Sequence, residues 1–535
     1  MPAFITLDGL SWRAPDGRML FENLTLSFGG ERTGVVGRNG CGKTTLLRLM
    51  LGELEPASGA VSRRGRIAAL RQIQGAPPPG ASLADLLGVA EELARLDRIE
   101  RGEGSPEDFD RAEWDLPGRI EASLAEAGLS GLTPDREAAS LSGGQATRAE
   151  FARLLIARPD LILLDEPTNN LDQEGRTLVA ATLAAWPGGA VVVSHDRALL
   201  NGMDRIVELT SLGARVYGGG YDLYAERKAE EEGAALQALD VAEREARRVE
   251  RDVQRARERK ARSDAAGRKA RARGDAPKML LDARAERAEV TGGRQSRLAD
   301  RLRGQAQEEL IAAQARVEQV RRLGFELPSS GLAQGKLVLA FDEVGFAWPG
   351  AQPLFDALSF RLTGPERLAI GGGNGCGKTT LIRLAAGDLK PGAGRITRGV
   401  ATVVLDQRAA VLRGDLSLLD NFRRLNPGLG DNAAYSALAR FLFRNVAAEK
   451  LAGDLSGGER LRAALACVLI AASPPQLIIL DEPTNHLDLD SIAAIETALA
   501  AYDGALMVVS HDEAFLEEVG ASQRLLLGSP LRPAD

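Results

Sequence analysis

Two stretches of this 535-residue chain carry residue types that can hold a chain of phosphates. They are Gly37-Arg38-Asn39-Gly40-Cys41-Gly42-Lys43-Thr44 and Gly372-Gly373-Asn374-Gly375-Cys376-Gly377-Lys378-Thr379, each followed by a further threonine, Thr45 or Thr380. Both fit G-x-x-x-x-G-K-[ST], the phosphate-binding loop. Glycines let the backbone fold into a nest whose N–H groups point at phosphate oxygens. A helix beginning there adds the positive end of its dipole. Lys43 and Lys378 neutralise the β- and γ-phosphates, and the Thr44 and Thr379 hydroxyls take a place on Mg²⁺. The expected cofactors are ATP and Mg²⁺. One such match can arise by chance, but two in the same context point to nucleotide sites.

The flanking residues supply that context. Val35-Val36 and Leu368-Ala369-Ile370 precede the loops as buried strands would, and Leu46–Leu49 and Leu381–Leu384 follow as helices would. Residues 1–30 alternate apolar and polar residues around Ala14-Pro15-Asp16-Gly17, which predicts a small antiparallel sheet. Leu20–Phe28 is echoed by Leu354–Phe360, the mark of a duplication. Trp12 and Phe346 stand at matching places before the loops. Either could stack on an adenine ring or simply pack in a β-layer.

The echo continues along the chain. Leu70-Arg71-Gln72 is matched by Leu405-Asp406-Gln407, and Leu141-Ser142-Gly143-Gly144-Gln145 by Leu455-Ser456-Gly457-Gly458-Glu459. Leu161–Thr168, with Asp165-Glu166, is matched by Leu477–Thr484, with Asp481-Glu482. Ser194-His195-Asp196 is matched by Ser510-His511-Asp512. Ser142 to His195 spans 53 positions and Ser456 to His511 spans 55, so the copies run nearly in register. Lys43 to Ser142 spans 99 positions against 78 for Lys378 to Ser456, so the first copy holds an insert near 88–118. Its charges and its Gly102, Gly104 and Pro106 fit a plain surface loop or a short contacting arm, the loop slightly favoured.

The fold class expected is α/β, with two tandem nucleotide-binding domains (1–224 and 331–535) around a linker at 225–330. Within the linker, Leu236, Leu239, Ala242, Ala246, Val249, Val253 and Ala256 recur at helical steps, and Leu298 to Val320 do so on the way back. Two amphipathic helices packed antiparallel satisfy both stripes. A first helix from 225 to 262 would reach ~57 Å. Gly267, Gly274, Pro277 and Gly292-Gly293 punctuate the far end. Arg244 to Arg303 holds 20 Lys/Arg against 10 Asp/Glu, whereas the whole chain is −7. A solvated coiled-coil face usually mixes signs evenly, so clusters such as Arg255–Lys260 and Arg268–Arg273 point to a phosphate-rich partner.

The bulk properties narrow the class. Length alone suggests three or four domains. Cys41, Cys376 and Cys467 lack metal or disulfide spacing, which favours a reducing cytoplasm. The first ten residues do not read as a signal peptide, and no apolar run approaches the ~18 residues of a spanning helix.

The ordered set of phosphate loop, glutamine, LSGG, LLLDEP and SHD resembles the ATP-binding cassette superfamily, over nearly all of both halves. Two cassettes without a membrane segment, joined by a basic helical linker, look like the ABC-F subfamily, as does Asp481-Glu482-Pro483-Thr484-Asn485-His486-Leu487-Asp488. In the first copy, Asn170 stands where a histidine is usual. The resemblance implies a cytoplasmic ATPase that binds the ribosome and places its hairpin near peptidyl-tRNA, regulating or rescuing translation or protecting against antibiotics. It also implies head-to-tail cassettes with ATP sandwiched between them. One site would join Lys43, Thr44, Gln72, Asp165, Glu166 and His195 to Ser456, Gly457 and Gly458. The other would join Lys378, Thr379, Gln407, Asp481, Glu482 and His511 to Ser142, Gly143 and Gly144. In this scheme Asp165 and Asp481 hold Mg²⁺, Glu166 and Glu482 act as general bases, Gln72 and Gln407 bridge metal and water, and His195 and His511 sense the γ-phosphate. Both sites are expected to hydrolyse ATP, in a monomer. The competing reading is a fused energy subunit of a membrane transporter, which has little use for an arginine-rich hairpin.

Overall fold

The computed structural model describes residues 3–528 apart from 71–79, 142, 170, 211–212, 274–297, 299, 315–326, 407–408 and 444. It forms two compact units. One contains Met1–Asp222 and Leu323–Asp535, and the other Leu223–Arg322.

In the first unit each half of the chain builds the same pair of sheets. Strands Ile5–Arg13 and Met19–Phe28 pair antiparallel as their alternation predicts, and Ser58–Arg63 joins the other edge of Ile5–Arg13. The second half repeats this with Leu337–Ala347, Pro353–Thr363 and Ala393–Arg398. Against each small sheet lies a parallel sheet. The first runs Ile67–Ala69, Leu161–Asp165, Gly189–Val193, Arg32–Gly37 and Arg205–Thr210, with antiparallel Gly213–Gly218 at its edge. The second runs Thr402–Leu405, Leu477–Asp481, Ala505–Val509, Arg367–Gly371 and Gln523–Leu526.

The central strands are continuous apolar runs because both of their faces are covered. Leu477 and Ile479 enter the core shared with the small sheet, and Ile478 and Leu480 enter the helical core behind. Ala505, Met507 and Val509 alternate with Leu506 and Val508 in the same way. This two-residue alternation fixes the register, since a one-residue slip would exchange the two faces. It also brings Gly37, Asp165 and the residues after Val193 to one edge, at the carboxyl ends of neighbouring parallel strands.

The insert in the first copy is helical rather than a loop. Helices Ala90–Glu100 and Pro106–Asp110 fill it, between Leu83–Leu87 and Leu116–Glu126. The residues that read as breakers punctuate the helices instead. Gly102 turns at φ 76° just after the first, and Pro106 opens the second behind Ser105, whose hydroxyl accepts from the Asp108 N–H in a capping box. Leu87, Val89, Leu96, Leu116 and Ile120 share a core with Ala149 and Ala152.

The second unit contains the long helix Tyr221–Arg273 from Leu223 onward, and a returning helix over 300–314. The first helix runs past the expected end at 262 and straight through Gly267. One glycine costs a helix about 1 kcal/mol, and its neighbours Ala265, Ala266, Arg268, Lys269 and Ala270 are mostly strong helix formers. At 53 residues, this helix is ~80 Å long. Glu250 pairs with Arg303 across the hairpin at 3.0 Å. Val253, Ala306 and Ala313 are buried in the seam, while Leu236, Leu298 and Leu302 remain exposed. The seam is thin because alanines supply most of it. The expected tip around Gly274, Pro277 and Gly292-Gly293, and the far part of the return stripe at Val317 and Val320, lie outside the described residues.

Candidate active site

Each phosphate loop ends on a glycine that no other residue could replace freely. Gly42 has φ 103° and a Cβ there would sit 2.8 Å from the Phe21 ring; Gly377 has φ 104° with Leu354 and Phe355 as close. Helices Lys43–Leu51 and Lys378–Ala386 start immediately after. Lys43 Nζ donates to Gly37 O at 2.7 Å and Arg38 O at 3.3 Å. Lys378 Nζ donates to Gly372 O at 2.7 Å and lies 3.0 Å from His511 Nε2. The lysines thus lie back along their loops, at the mouth of the nest.

The acidic pairs close the other side. Thr44 Oγ1 donates to Asp165 Oδ2 at 2.7 Å, and Thr379 Oγ1 to Asp481 Oδ2 at 3.4 Å. Hydroxyl and carboxylate so placed fit the donor set of a hydrated Mg²⁺. Glu166 and Glu482 both adopt φ 47°, a left-handed conformation that glutamate normally avoids. It is held by Glu166 N–H donating to Val193 O and Glu482 N–H donating to Val509 O, both at 2.8 Å. Strain of this kind costs about 1–3 kcal/mol and persists where the surroundings impose it.

Burial sets the charge state. It pushes the Glu166 carboxyl up to about 8 and the Glu482 carboxyl up to about 7. It pushes His195 down to about 3 and His511 down to about 4, each lowered further by its lysine. His195 Nε2 lies 3.4 Å from Glu166 Oε1, and His511 Nε2 3.5 Å from Glu482 Oε1. Both shifts favour the uncharged forms, which weakens each contact as an ion pair. Asp165 and Asp481 are likewise raised by burial. His195 Nδ1 and Glu482 Oε2 are buried without a hydrogen-bond partner among the described residues. At Gly40 and Gly375 the space beside the backbone is open. Uncommitted buried polar atoms around an open nest fit a polar ligand such as ATP with Mg²⁺.

The cassettes meet through these same loops. Asn39 N–H donates to Asp488 Oδ2 at 2.8 Å, and Asn374 N–H donates to Asp172 Oδ2 at 3.3 Å, a reciprocal pair. Asn39 Nδ2 also donates to His486 O at 3.0 Å. The same carbonyl lies 3.7 Å from where a Gly458 Cβ would be, and Leu487 Cδ2 2.2 Å from it. The LSGG turn of the second cassette and the phosphate loop of the first therefore share a neighbour. Ser456 caps helix Gly457–Leu469, accepting from Glu459 N–H, while Glu459 Oε2 accepts from Ser456 N–H at 3.0 Å. Helix Gly143–Ala157 starts at the matching place.

Gln72, Gln407 and Ser142 lie outside the described residues, as does Asn170. Trp12 and Phe346 are half-buried against the two β-layers, and Phe346 meets Trp348 edge-on at 5.3 Å. Sequence reading gave no role to Asp172 and Asp488, although each closes its Asn-x-Leu-Asp segment at the same place in both copies. Arg38, expected only as part of the phosphate loop, also pairs with Asp490 across the lobes at 2.9 Å.

The family model described as ABC transporter matches residues 21–169 and 355–485. The chain is 32% identical to the tylosin resistance ATP-binding protein TlrC of Streptomyces fradiae, over 95% of this chain and 94% of that protein. It is 31% identical to the energy-dependent translational throttle protein EttA of Mycobacterium tuberculosis, over 94% and 88%. A solved complex of an archaeal ribosome recycling factor, aABCE1, has a similar fold, with a TM-score of 0.62 at 17% identity over 97% of this chain and 87% of that one. Cassettes of this family bind ATP with Mg²⁺. With two tandem cassettes joined by an antiparallel helical hairpin, the chain belongs to the ATP-binding cassette superfamily and, within it, to the ABC-F subfamily.

Proposed function

We propose that this chain is a cytoplasmic ATPase that binds the ribosome as a monomer and uses ATP to place and withdraw its hairpin near peptidyl-tRNA. The observation that carries the reading is the shared neighbour of the first phosphate loop and the second LSGG turn. It supports a composite site in which each cassette lacks the γ-phosphate cap that the other supplies. The boundaries proposed are 1–224, 225–330 and 331–535. The named roles of TlrC in tylosin resistance and EttA in translational control support translation over membrane transport. Protection against a ribosome-targeting antibiotic is the physiological setting that the first of these names suggests.

In each site the loop N–H groups and lysine bind the phosphates, and the opposite LSGG helix end caps the γ-phosphate. The threonine and aspartate, Thr44 with Asp165 or Thr379 with Asp481, hold Mg²⁺ together with Gln72 or Gln407. Mg²⁺ supplies neutralisation of the charge on the phosphate oxygens. Glu166 and Glu482 take the proton of the attacking water once they ionise. His195 and His511, neutral and close to these glutamates, hydrogen-bond the γ-phosphate. Trp12 and Phe346 offer ring faces to adenine. When the cap is lost on hydrolysis the lobes part, and the hairpin follows.

Co-sedimentation with ribosomes tests this directly. Protein carrying Glu166→Gln with Glu482→Gln is expected to pellet with ribosomes in ATP and to stay in the supernatant in ADP. Equal pelleting in the two nucleotides would remove the basis for the cycle.

A second expectation concerns salt. Reversing Arg257, Arg259, Arg271 and Arg273 to glutamate should weaken RNA binding. If all four contact phosphates, the slope of log K against log salt should become shallower by roughly 3. An unchanged slope, measured by titration at several salt concentrations, means these arginines do not touch phosphate.

A further inference from the structure

Helix Arg197–Asn201 begins two residues after His195 and has anchors at both of its ends. At the start, Arg197 Nη2 donates to Glu496 Oε2 of the second cassette at 2.8 Å, with both side chains nearly buried. The same guanidinium lies over the ring of Tyr221, 5.7 Å from its centroid. Tyr221 is the first residue of the long hairpin helix. At the other end, Asn201 Oδ1 accepts from the Asp222 N–H at 2.9 Å. A Cβ on Gly220 would lie 2.5 Å from Asn201 O, so the chain entering the hairpin passes close against this residue.

Among the described residues, the other half does not repeat the arrangement at the matching positions. Glu513 stands where Arg197 does, carries the opposite charge, and accepts from Arg524 of its own lobe at 2.9 Å. Ala180 stands where Glu496 does, counting from Asp172 and Asp488. The ion pair between Arg38 and Asp490 is one-sided too, since Gly373 replaces Arg38 in the second loop. Both pairs run from arginines of the first cassette to acids of one helix, Leu489–Ala500. The duplicated sites are therefore chemically alike but mechanically different.

We propose that helix Arg197–Asn201 is the positioning element that reports the state of the His195 site to the hairpin, with Arg197 clamped between Glu496 and Tyr221. The inference rests on the ATP-driven cycle proposed above and adds which of the two sites steers the hairpin. His195 moves with the γ-phosphate, and the helix that follows moves with it. Glu496 holds the helix start against the second cassette, so displacement is passed to Asn201 and the hairpin root. Among the described residues, His511 has no such connection.

Hydrogen–deuterium exchange of amides 221–230 in the full chain, with ATP and then ADP, reads the coupling. In the parent, a coupling of ordinary size changes protection by about 5- to 100-fold. Tyr221→Leu and Glu496→Gln are each expected to reduce that change to under about twofold. Tyr221→Phe keeps the ring and should retain the response. Glu513→Ala, on the unconnected side, should also retain it. Tyr221→Leu should leave ATP turnover without ribosomes at the parental rate, which separates lost coupling from misfolding. A parental response persisting in Tyr221→Leu and Glu496→Gln overturns the inference alone, as does equal loss in Glu513→Ala. A parent whose hairpin root ignores the nucleotide overturns the cycle as well.

Discussion

Replacing Glu166 and Glu482 together by glutamine is expected to lower ATP turnover by about 10²–10⁴-fold, the usual contribution of a positioned general base. Glutamine keeps the shape and can still reach the neighbouring histidine, but it cannot accept the proton of water. ATP should remain bound, because the loop, lysine, threonine and aspartate are untouched. The pH dependence gives a second, independent readout. Burial raises the two carboxyls to about 8 and about 7, so the ionised base is lost as pH falls through those values. In the parent, kcat/KM for ATP should therefore climb between pH 6 and pH 8, in steps that belong to the free protein. The residual rate of the double variant should lack that climb. A climb of the same size in the variant would assign it to some other group. Single variants divide the question further. If both sites turn over, each should retain a measurable rate, with Glu166→Gln removing the step at higher pH.

The next largest effect is expected at the loop glycines. Gly377→Ala puts a methyl group 2.8 Å from Leu354 and Phe355 while forcing alanine to φ 104°. Overpacking and left-handed backbone together cost about 2–4 kcal/mol. Gly42→Ala meets the Phe21 ring in the same way. Relief of either clash tilts the loop, so nucleotide binding at that site should fall along with thermal stability. Gly375→Ala is the internal control. Its φ is 83°, but nothing lies within 4 Å of the added methyl group, leaving only a backbone cost of about 1–2 kcal/mol. Melting curves with and without ATP check the series. Comparable losses from Gly375→Ala and Gly377→Ala would mean that contact with Leu354 and Phe355 is unimportant.

Much of the site was legible because it is local. Glycine spacing, a lysine and two threonines in one loop, or an aspartate and glutamate at the end of an apolar run, need only strand–loop–helix geometry. Duplication added to this, since every motif could be checked against its echo. The errors were also local in origin. Gly102 and Pro106 read as loop residues, yet they sit at helix ends, where those residue types belong equally well. Gly267 read as a stop, yet the surrounding helix formers carry the helix through it. Leu236 and Leu298 fit the apolar stripes by spacing but remain exposed, because periodicity marks a face without saying what covers it.

The sequence by itself determined the chemistry available to this protein: two phosphate nests, two aspartate–glutamate pairs, two histidines and a basic arm. Those follow from residue type and from spacing along the chain. Only the tertiary structure showed that the phosphate loops contact the opposite half, through Asn39 with Asp488 and Asn374 with Asp172, partners 449 and 202 positions apart. It also decided that Glu166 takes a left-handed backbone and that burial holds its proton. The reason is that charge state and partnership depend on desolvation and on surfaces brought together by folding, and neither is written in any short stretch of residues.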